Sequence, residues 1–246
     1  MNRILFETDE IVNGVATFGG ERAEHVMKVL HGEVGQVLKT GETNGPIGTS
    51  EILSIEQSEQ SNNWNISVRC SHTEKSILPW VDLILAPPRP RVMKRLLPQL
   101  ATMGVGRIFL VGAKKVEKDF WGATLLKEEN YRPLLIDGLM QAGTSILPTL
   151  ETRRNFRKFV KEEVDALWLN AKRIVAHPYG AQSTAVDGNR QQPLLLAIGP
   201  EGGWTDEEVA LLEEHGFARY SLGSRILRTD TATVALLAQL MQTFDK

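Results

Sequence analysis

The 246-residue chain contains one cysteine, Cys70, so it can build neither an internal disulfide nor a multi-cysteine zinc or iron-sulfur site. A reducing cytosol suits that usage. No apolar run approaches the ~20 residues needed to cross a bilayer. The N-terminus, Met1-Asn2-Arg3-Ile4-Leu5-Phe6-Glu7, meets acid before a signal-peptide core develops. The expectation is a soluble, unprocessed, cytoplasmic protein with no membrane partner. Charge of one sign is also missing: the formal net charge is −2, so attraction to a polyanion has to come from local basic patches. Five histidines are scattered without an H-E-x-x-H pair or a carboxylate at ligand spacing, and no metal is expected. The G-x-S-x-G nucleophile elbow, the phosphate-binding P-loop and the G-x-G-x-x-G dinucleotide fingerprint are all absent. Repeats of fixed period and low-complexity tracts are lacking as well.

What is present is the balance of a globular protein, with 42% hydrophobic and 24% charged residues. Up to about residue 75, short β-type runs are separated by Gly, Asn and Ser: Arg3 to Phe6, Gln36 to Thr40, Ile47 to Ile55 and Trp64 to Cys70. One helical stretch, Glu21 to Leu30, interrupts them, and the pattern reads as a small β-barrel. After Ser71, continuous apolar runs alternate with amphipathic segments. The strands expected there are Trp80 to Ala86, Arg107 to Gly112, Arg173 to His177, Leu194 to Gly199 and Arg219 to Leu222, with helices over Val92 to Met103 and Leu125 to Gln141. Such alternation implies an α/β domain with a parallel sheet covered on both faces. The domains expected are therefore 1–75 and 76–246, with the boundary near 72–78. Pro98 falls inside the pattern Val92, Leu96, Leu97, Leu100 and is expected to kink or split its helix.

The most informative segment runs from Leu194 to Val209. An apolar strand enters Gly199-Pro200-Glu201-Gly202-Gly203, and a helix starts directly afterwards. Thr205 is placed as N-cap with Glu208 completing a capping box, Trp204 and Val209 occupy the positions of a hydrophobic staple, and Gly216 marks the end. Alone, this is a tight strand-to-helix turn. A second corner, Ser221 to Thr233, follows closely and leads into a helix whose apolar face is read as Val234, Leu237, Leu240 and Met241. Two such corners at the carboxyl ends of parallel strands form the place where open α/β sheets bind ligands.

The paired segments Gly199-Pro200-Glu201-Gly202-Gly203 and Leu222-Gly223-x-x-Ile226-Leu227-Arg228-x-x-Thr231-Ala232 resemble the signature of the RsmE family, the 16S rRNA uridine-N3 methyltransferases of the SPOUT superfamily. Ala86-Pro87-Pro88-Arg89 to Gly104-Val105 resembles the family's first strand-helix unit. Val175-Ala176-His177-Pro178 resembles its first cofactor loop, and the N-terminal region its PUA-like RNA-binding barrel. Asp230 stands where Glu is usual, and Gly143-Thr144 where many members carry Gly-Arg near Gln141, so the role of that loop is open. The resemblance implies a SPOUT-type parallel sheet with a C-terminal trefoil knot, an antiparallel homodimer, and S-adenosylmethionine as cofactor. It implies cofactor contacts from His177, Gly199, Glu201, Gly202, Leu222, Gly223, Ile226, Leu227 and Thr231.

Arg228, the basic side chain at the end of the second corner, is the candidate for contact with the uridine or a phosphate, with pairing to Asp230 as the plain alternative. Glu201 is a second catalytic candidate, able either to orient its loop or to take a proton. For 16S rRNA or the small subunit as partner, the candidate contacts are Arg89, Arg91, Lys94 and Arg95, with Arg22 and Lys28, beside His25 and His31, in the first domain. Arg153, Arg154, Arg157 and Lys158 form a further cluster. Each run can equally be a solvated face. Two competing functions share the fold: a ribose 2′-O-methyltransferase of tRNA or rRNA, and an RNA-binding protein without catalysis.

Overall fold

A computed structural model describes residues 1–57, 63–179 and 191–244. The chain divides into two compact units, Met1–Ile77 with Ile136–Leu147, and Leu78–Leu135 with Pro148–Lys246. The segment 136–147, expected in the second domain, groups instead with the first unit. Its backbone explains why: Met140 O accepts from the N–H groups of Asn2 and Arg3 at 2.9 and 3.0 Å, and Ser145 O accepts from Asn44 N–H at 2.8 Å. Arg3 Nε also donates to Gly143 O at 2.9 Å.

In the first unit, β1 (Ile4–Phe6), β2 (Ile11–Val12), β3 (Val15–Phe18), β4 (Val37–Glu42), β5 (Ile47–Gln57) and β6 (Trp64–Glu74) form one sheet, ordered β1-β4-β5-β6-β3-β2. All pairs are antiparallel except β1 with β4. Because β1 and β2 stand at opposite edges, the expected barrel is a curled half-barrel. Alternating side chains bring Ile4, Phe6, Phe18, Ile52, Ile66 and Val68 to one core, closed by Ala23 and Val26 of α1 (Gly20–Lys28).

The second unit holds an all-parallel sheet of β7 (Val81–Leu85), β8 (Val105–Val111), β9 (Thr149–Arg153), β10 (Lys172–Ala176), β11 (Leu194–Ile198) and β12 (Ala218–Tyr220), ordered β12-β10-β11-β7-β8-β9. The central strand β11 is buried at every position, which is why its sequence is a continuous apolar run. Its helices are α2 (Pro90–Thr102), α3 (Glu128–Ala142, shared with the first unit), the short α4 (Phe156–Phe159) and α5 (Asp165–Leu167) joined by a π turn, α6 (Asp206–Glu214) and α7 (Thr229–Phe244). Pro98 does not split α2. Six apolar residues of that helix, from Val92 to Ala101, are buried, and this packing outweighs the ~3 kcal/mol typical of an interior proline.

Asp82 ties the sheet together. Its carboxylate accepts from Arg107 N–H at 2.9 Å, from Arg107 Nε and Nη2 at 2.8 and 2.6 Å, and from Trp168 Nε1 at 2.7 Å. The Arg107 guanidinium lies 4.6 Å from the Trp168 ring centroid. Asp82→Ala strands all these donors at once and is expected to cost about 2–3 kcal/mol of unfolding free energy in urea titration. An unchanged urea midpoint would remove this network from the fold's supports.

Candidate active site

Three loops meet at the carboxyl ends of β10, β11 and β12. His177 N–H donates to Tyr220 O at 3.0 Å, which continues the β10–β12 pairing into the loops. Ser221 Oγ donates to Pro178 O at 3.2 Å, and Thr229 Oγ1 donates to Gly199 O at 3.3 Å. The two glycine corners and the His177 loop are thereby fastened to one another. Between them lies a cavity of about 330 Å³.

The first corner has the local construction expected of it. Thr205 Oγ1 accepts from Glu208 N–H at 3.3 Å and Glu208 Oε2 accepts from Thr205 N–H at 2.8 Å, forming the capping box. Glu208 Oε1 also accepts from Lys114 N–H at 2.8 Å, so one buried carboxylate joins the start of α6 to the segment after β8. Trp204 and Val209 are both buried, and Trp204 stacks on Phe156 with ring centroids 5.1 Å apart. Gly203 takes φ +69°, a conformation that side chains resist. Gly202 O accepts from Lys115 Nζ at 2.8 Å.

Of the expected cofactor residues, His177, Gly199, Glu201, Gly202, Leu222, Ile226 and Leu227 line this cavity. Gly223 and Thr231 lie off its wall. Gly223, at φ +125°, shapes the second corner, with its N–H donating to Ser221 Oγ at 3.2 Å. Thr231 is exposed, while Thr229, Ala232 and Leu236 face the cavity at helical spacing. The apolar face of α7 is correspondingly shifted: Leu237 and Leu240 are buried as expected, but Leu236 and Phe244 are buried where Val234 and Met241 were read. Sequence reading also missed Tyr179, Trp204 and Tyr220 as wall residues. Tyr220 carried a signal as the last residue of β12. For Tyr179 and Trp204, nothing local distinguished a cavity wall from plain packing.

Among the described residues, Glu201 and Arg225 are the only formally charged Asp, Glu, Lys or Arg residues in the wall. Burial pushes the Tyr220 phenol above its ordinary pKa, so it stays neutral. Trp204 Nε1 is buried and has no hydrogen-bond partner among the described residues. Such a wall fits an uncharged ring system held by apolar side chains and backbone groups. It does not fit a polyphosphate. The adenosine part of S-adenosylmethionine meets that description.

A second hollow, of about 600 Å³, adjoins the first and shares Glu201, Ile226 and Leu227 with it. Its other lining residues are Arg89, Arg91, Val92, Arg95 and Arg228. Arg228 is exposed, with Nε 3.6 Å from Asp230 Oδ1, and Arg95 approaches the same carboxylate at 3.8 Å. Arg89 Nε donates to Glu117 Oε1 at 2.9 Å and stands 3.8 Å from Glu201. Lys94 is exposed outside the hollow. Among the described residues no cluster can hold a metal ion, and no helix is long and apolar enough to cross a membrane.

Arg22, Lys28 and the cluster at 153–158 have local partners. Arg22 donates to Leu5 O at 2.9 Å and pairs with Glu10, its guanidinium 5.6 Å from both the Phe6 and Phe18 ring centroids. Lys28 pairs with Glu24 at 2.8 Å. Arg153 bonds Glu151 and Glu163, both at 2.8 Å, Arg157 bonds Glu207 at 2.6 Å, and Lys158 stands 3.8 Å from Glu162.

A Cβ at Gly199 would stand 3.1 Å from both Trp204 Cδ1 and Trp204 N, whereas one at Gly202 would meet only the flexible Lys115 side chain, at 3.0 Å. Gly199→Ala is therefore expected to weaken S-adenosylmethionine binding about tenfold or more in calorimetry, and Gly202→Ala by no more than about threefold. Equal losses would show that the corner's tightness does not shape the cavity.

Comparison with known proteins places this geometry in a wider group. Residues 74–241 match the model of an RNA methyltransferase domain. The chain is 30% identical to the ribosomal RNA small subunit methyltransferase E of Treponema pallidum, over 98% of its own length and 91% of the relative's. Similarity to ribosomal RNA small subunit methyltransferase E 1 of Borreliella burgdorferi is 25% identity over 96% and 95% of the two chains. The fold also matches the crystal structure of a ribosomal RNA small subunit methyltransferase E from Neisseria gonorrhoeae bound to S-adenosyl methionine. The TM-score is 0.74 at 20% identity, covering 99% of this chain and 98% of that one. By the matched domain and by near full-length similarity, the chain belongs to the RsmE family of ribosomal RNA small subunit methyltransferases.

Proposed function

We propose that the chain is a cytoplasmic S-adenosylmethionine-dependent methyltransferase that acts on N3 of a uridine in the 16S rRNA of the small ribosomal subunit. One observation carries the reading: an apolar cavity enclosed by the His177 loop and two glycine corners shares a wall with an arginine-lined hollow. The names of the relatives and the ligand of the Neisseria gonorrhoeae structure point the same way. The reading includes a trefoil knot. Its support is topological, since the chain leaves β11, forms α6 and returns as β12 on the far side of β10. It also includes an antiparallel homodimer, on family likeness alone.

S-adenosylmethionine supplies a methyl group on a sulfonium, ready for in-line displacement. The protein's tasks are then to align the acceptor nitrogen and to stabilise the anion left when uracil N3 gives up its proton to solvent water. Leu222, Ile226 and Leu227 cover the nucleoside, and the bare backbone of Gly199 to Gly203 lets it approach closely. Arg228, exposed beside that wall, places a fixed positive charge where the uracil oxygens gather negative charge. Glu201, bordering both hollows near Arg89, fits orientation of the loop better than proton removal.

Incubation with labelled methyl donor and unmodified small subunits should place the label on N3 of one uridine, located by nuclease digestion and mass spectrometry. Label on a ribose 2′-oxygen would replace this reading by the ribose methyltransferase. Cofactor binding without any transfer would leave an RNA-binding protein. Arg228→Lys is expected to lower turnover at saturating substrate about tenfold while sparing cofactor affinity, because a single ammonium cannot reproduce the guanidinium fork. Full turnover in that variant would take Arg228 out of the chemistry.

A further inference from the structure

Ile226 is 72% exposed, yet it stands among arginines rather than in an apolar surface. Leu227 beside it is also partly open, and both side chains border two hollows at once. On the other side from the apolar cavity, four arginines, Arg89, Arg91, Arg95 and Arg228, face a single lining carboxylate, Glu201. A small apolar shelf bordered by guanidinium groups is complementary to a group that combines a flat apolar face with negative charge. A nucleotide has that composition. The hollow, at about 600 Å³, has the size of a pocket for a compact ligand and is too small to seat a duplex.

Resting on the methyltransferase reading, we propose that this hollow is the seat of the target nucleotide in single-stranded form. Ile226 and Leu227 serve as a two-sided partition, with cofactor against one face and the turned-out base against the other. Arg91 and Arg95 hold the flanking phosphates. The carboxylate already near Arg95 acts as a stand-in: Asp230 lies 3.8 Å away, beyond hydrogen-bond length, so a phosphate oxygen can displace it without breaking a formed bond. Arg89 is different, because its 2.9 Å bond to Glu117 fixes it at the rim. Unstacked bases in single strands are the usual targets of sequence-selective RNA recognition, and a base that undergoes chemistry has to leave its stack. An apolar shelf gives such a base a face to rest on.

The test uses the full chain saturated with S-adenosylmethionine and titrated by fluorescence anisotropy. The probes are a short oligouridylate, an abasic ribose-phosphate oligomer of equal length and an RNA duplex. Arg91→Ala and Arg95→Ala should each weaken oligouridylate binding about fivefold and flatten the plot of log affinity against log salt by about 0.7. Arg157→Ala, whose side chain is already bonded to Glu207, should change neither. Ile226→Ser should weaken oligouridylate binding and leave the abasic oligomer unaffected, with cofactor held saturating throughout. Tighter binding of the duplex than of the single strand would overturn the proposal, as would equal effects of Ile226→Ser on both oligomers or unchanged salt slopes in the arginine variants. Such results alongside intact methyl transfer to the small subunit would leave the enzymatic reading standing. Failure of the unsubstituted chain to bind S-adenosylmethionine would instead remove that reading.

Discussion

A single hydroxyl fastens the two halves of the cavity. Thr229 Oγ1 donates to the carbonyl of Gly199 at 3.3 Å, and Thr229 O in turn accepts from Thr233 Oγ1 at 2.7 Å. Gly199 ends the central strand of the sheet, while Thr229 begins the last helix, so the bond joins elements thirty residues apart in sequence. Buried polar groups need partners, and here each satisfies the other. With the corners locked, the intervening residues Leu222 to Leu227 have a fixed frame from which to project. Without that lock, two glycine-containing loops would pay a large conformational entropy each time a ligand ordered them.

The frame is rigid on one side and open on the other. Glu208 anchors the first corner by bonding both the N-cap backbone of α6 and Lys114 N–H, and Trp204 packs on Phe156 beneath it. The second corner, by contrast, exposes Ser224, Arg225, Ile226 and Arg228. This asymmetry suits a site that holds its cofactor against a preformed wall and receives a macromolecule from the exposed edge. The fixed wall contributes alignment, and the open edge gives access.

Legibility from sequence followed the range of the interactions. The first corner was readable because capping box, staple and terminal glycine obey rules spanning five residues, and Thr205, Glu208, Trp204 and Gly216 all sit as those rules require. The buried parallel strands were readable from apolar runs, whereas the edge strand β9, with the sequence Thr149-Leu150-Glu151-Thr152-Arg153, carries no such run and was not expected. Misreadings occurred where phase or distance decided. In α7 a shift in the buried face exchanged Thr231 for Ala232 at the cavity and Val234 for Leu236 in the core, because each residue turns the helix by about 100°. Arg22 looked like one of a set of basic residues, but its neighbours Glu10, Phe6 and Phe18 come from other elements and draw it into the half-barrel. The grouping of 136–147 with the N-terminal unit depends on bonds from Asn2, Arg3 and Asn44, which no local pattern announces.

The same distinction separates the two basic clusters. Arg153, Arg157 and Lys158 look as promising in sequence as Arg89, Arg91 and Arg95, yet Arg153 and Arg157 both have carboxylates at hydrogen-bonding distance, as Arg89 has Glu117, whereas Arg95, like Lys158, stands 3.8 Å from its nearest carboxylate. An arginine already bonded to a carboxylate has to give up that bond before it takes a phosphate, so the exchange gains little. Arg95 and Arg228 stand 3.8 and 3.6 Å from one shared carboxylate, Asp230, which cannot neutralise both. Unmatched positive charge is therefore concentrated next to the cavity between the glycine corners. On a chain with net charge −2, a polyanion meets its attraction in this local imbalance rather than in any overall field.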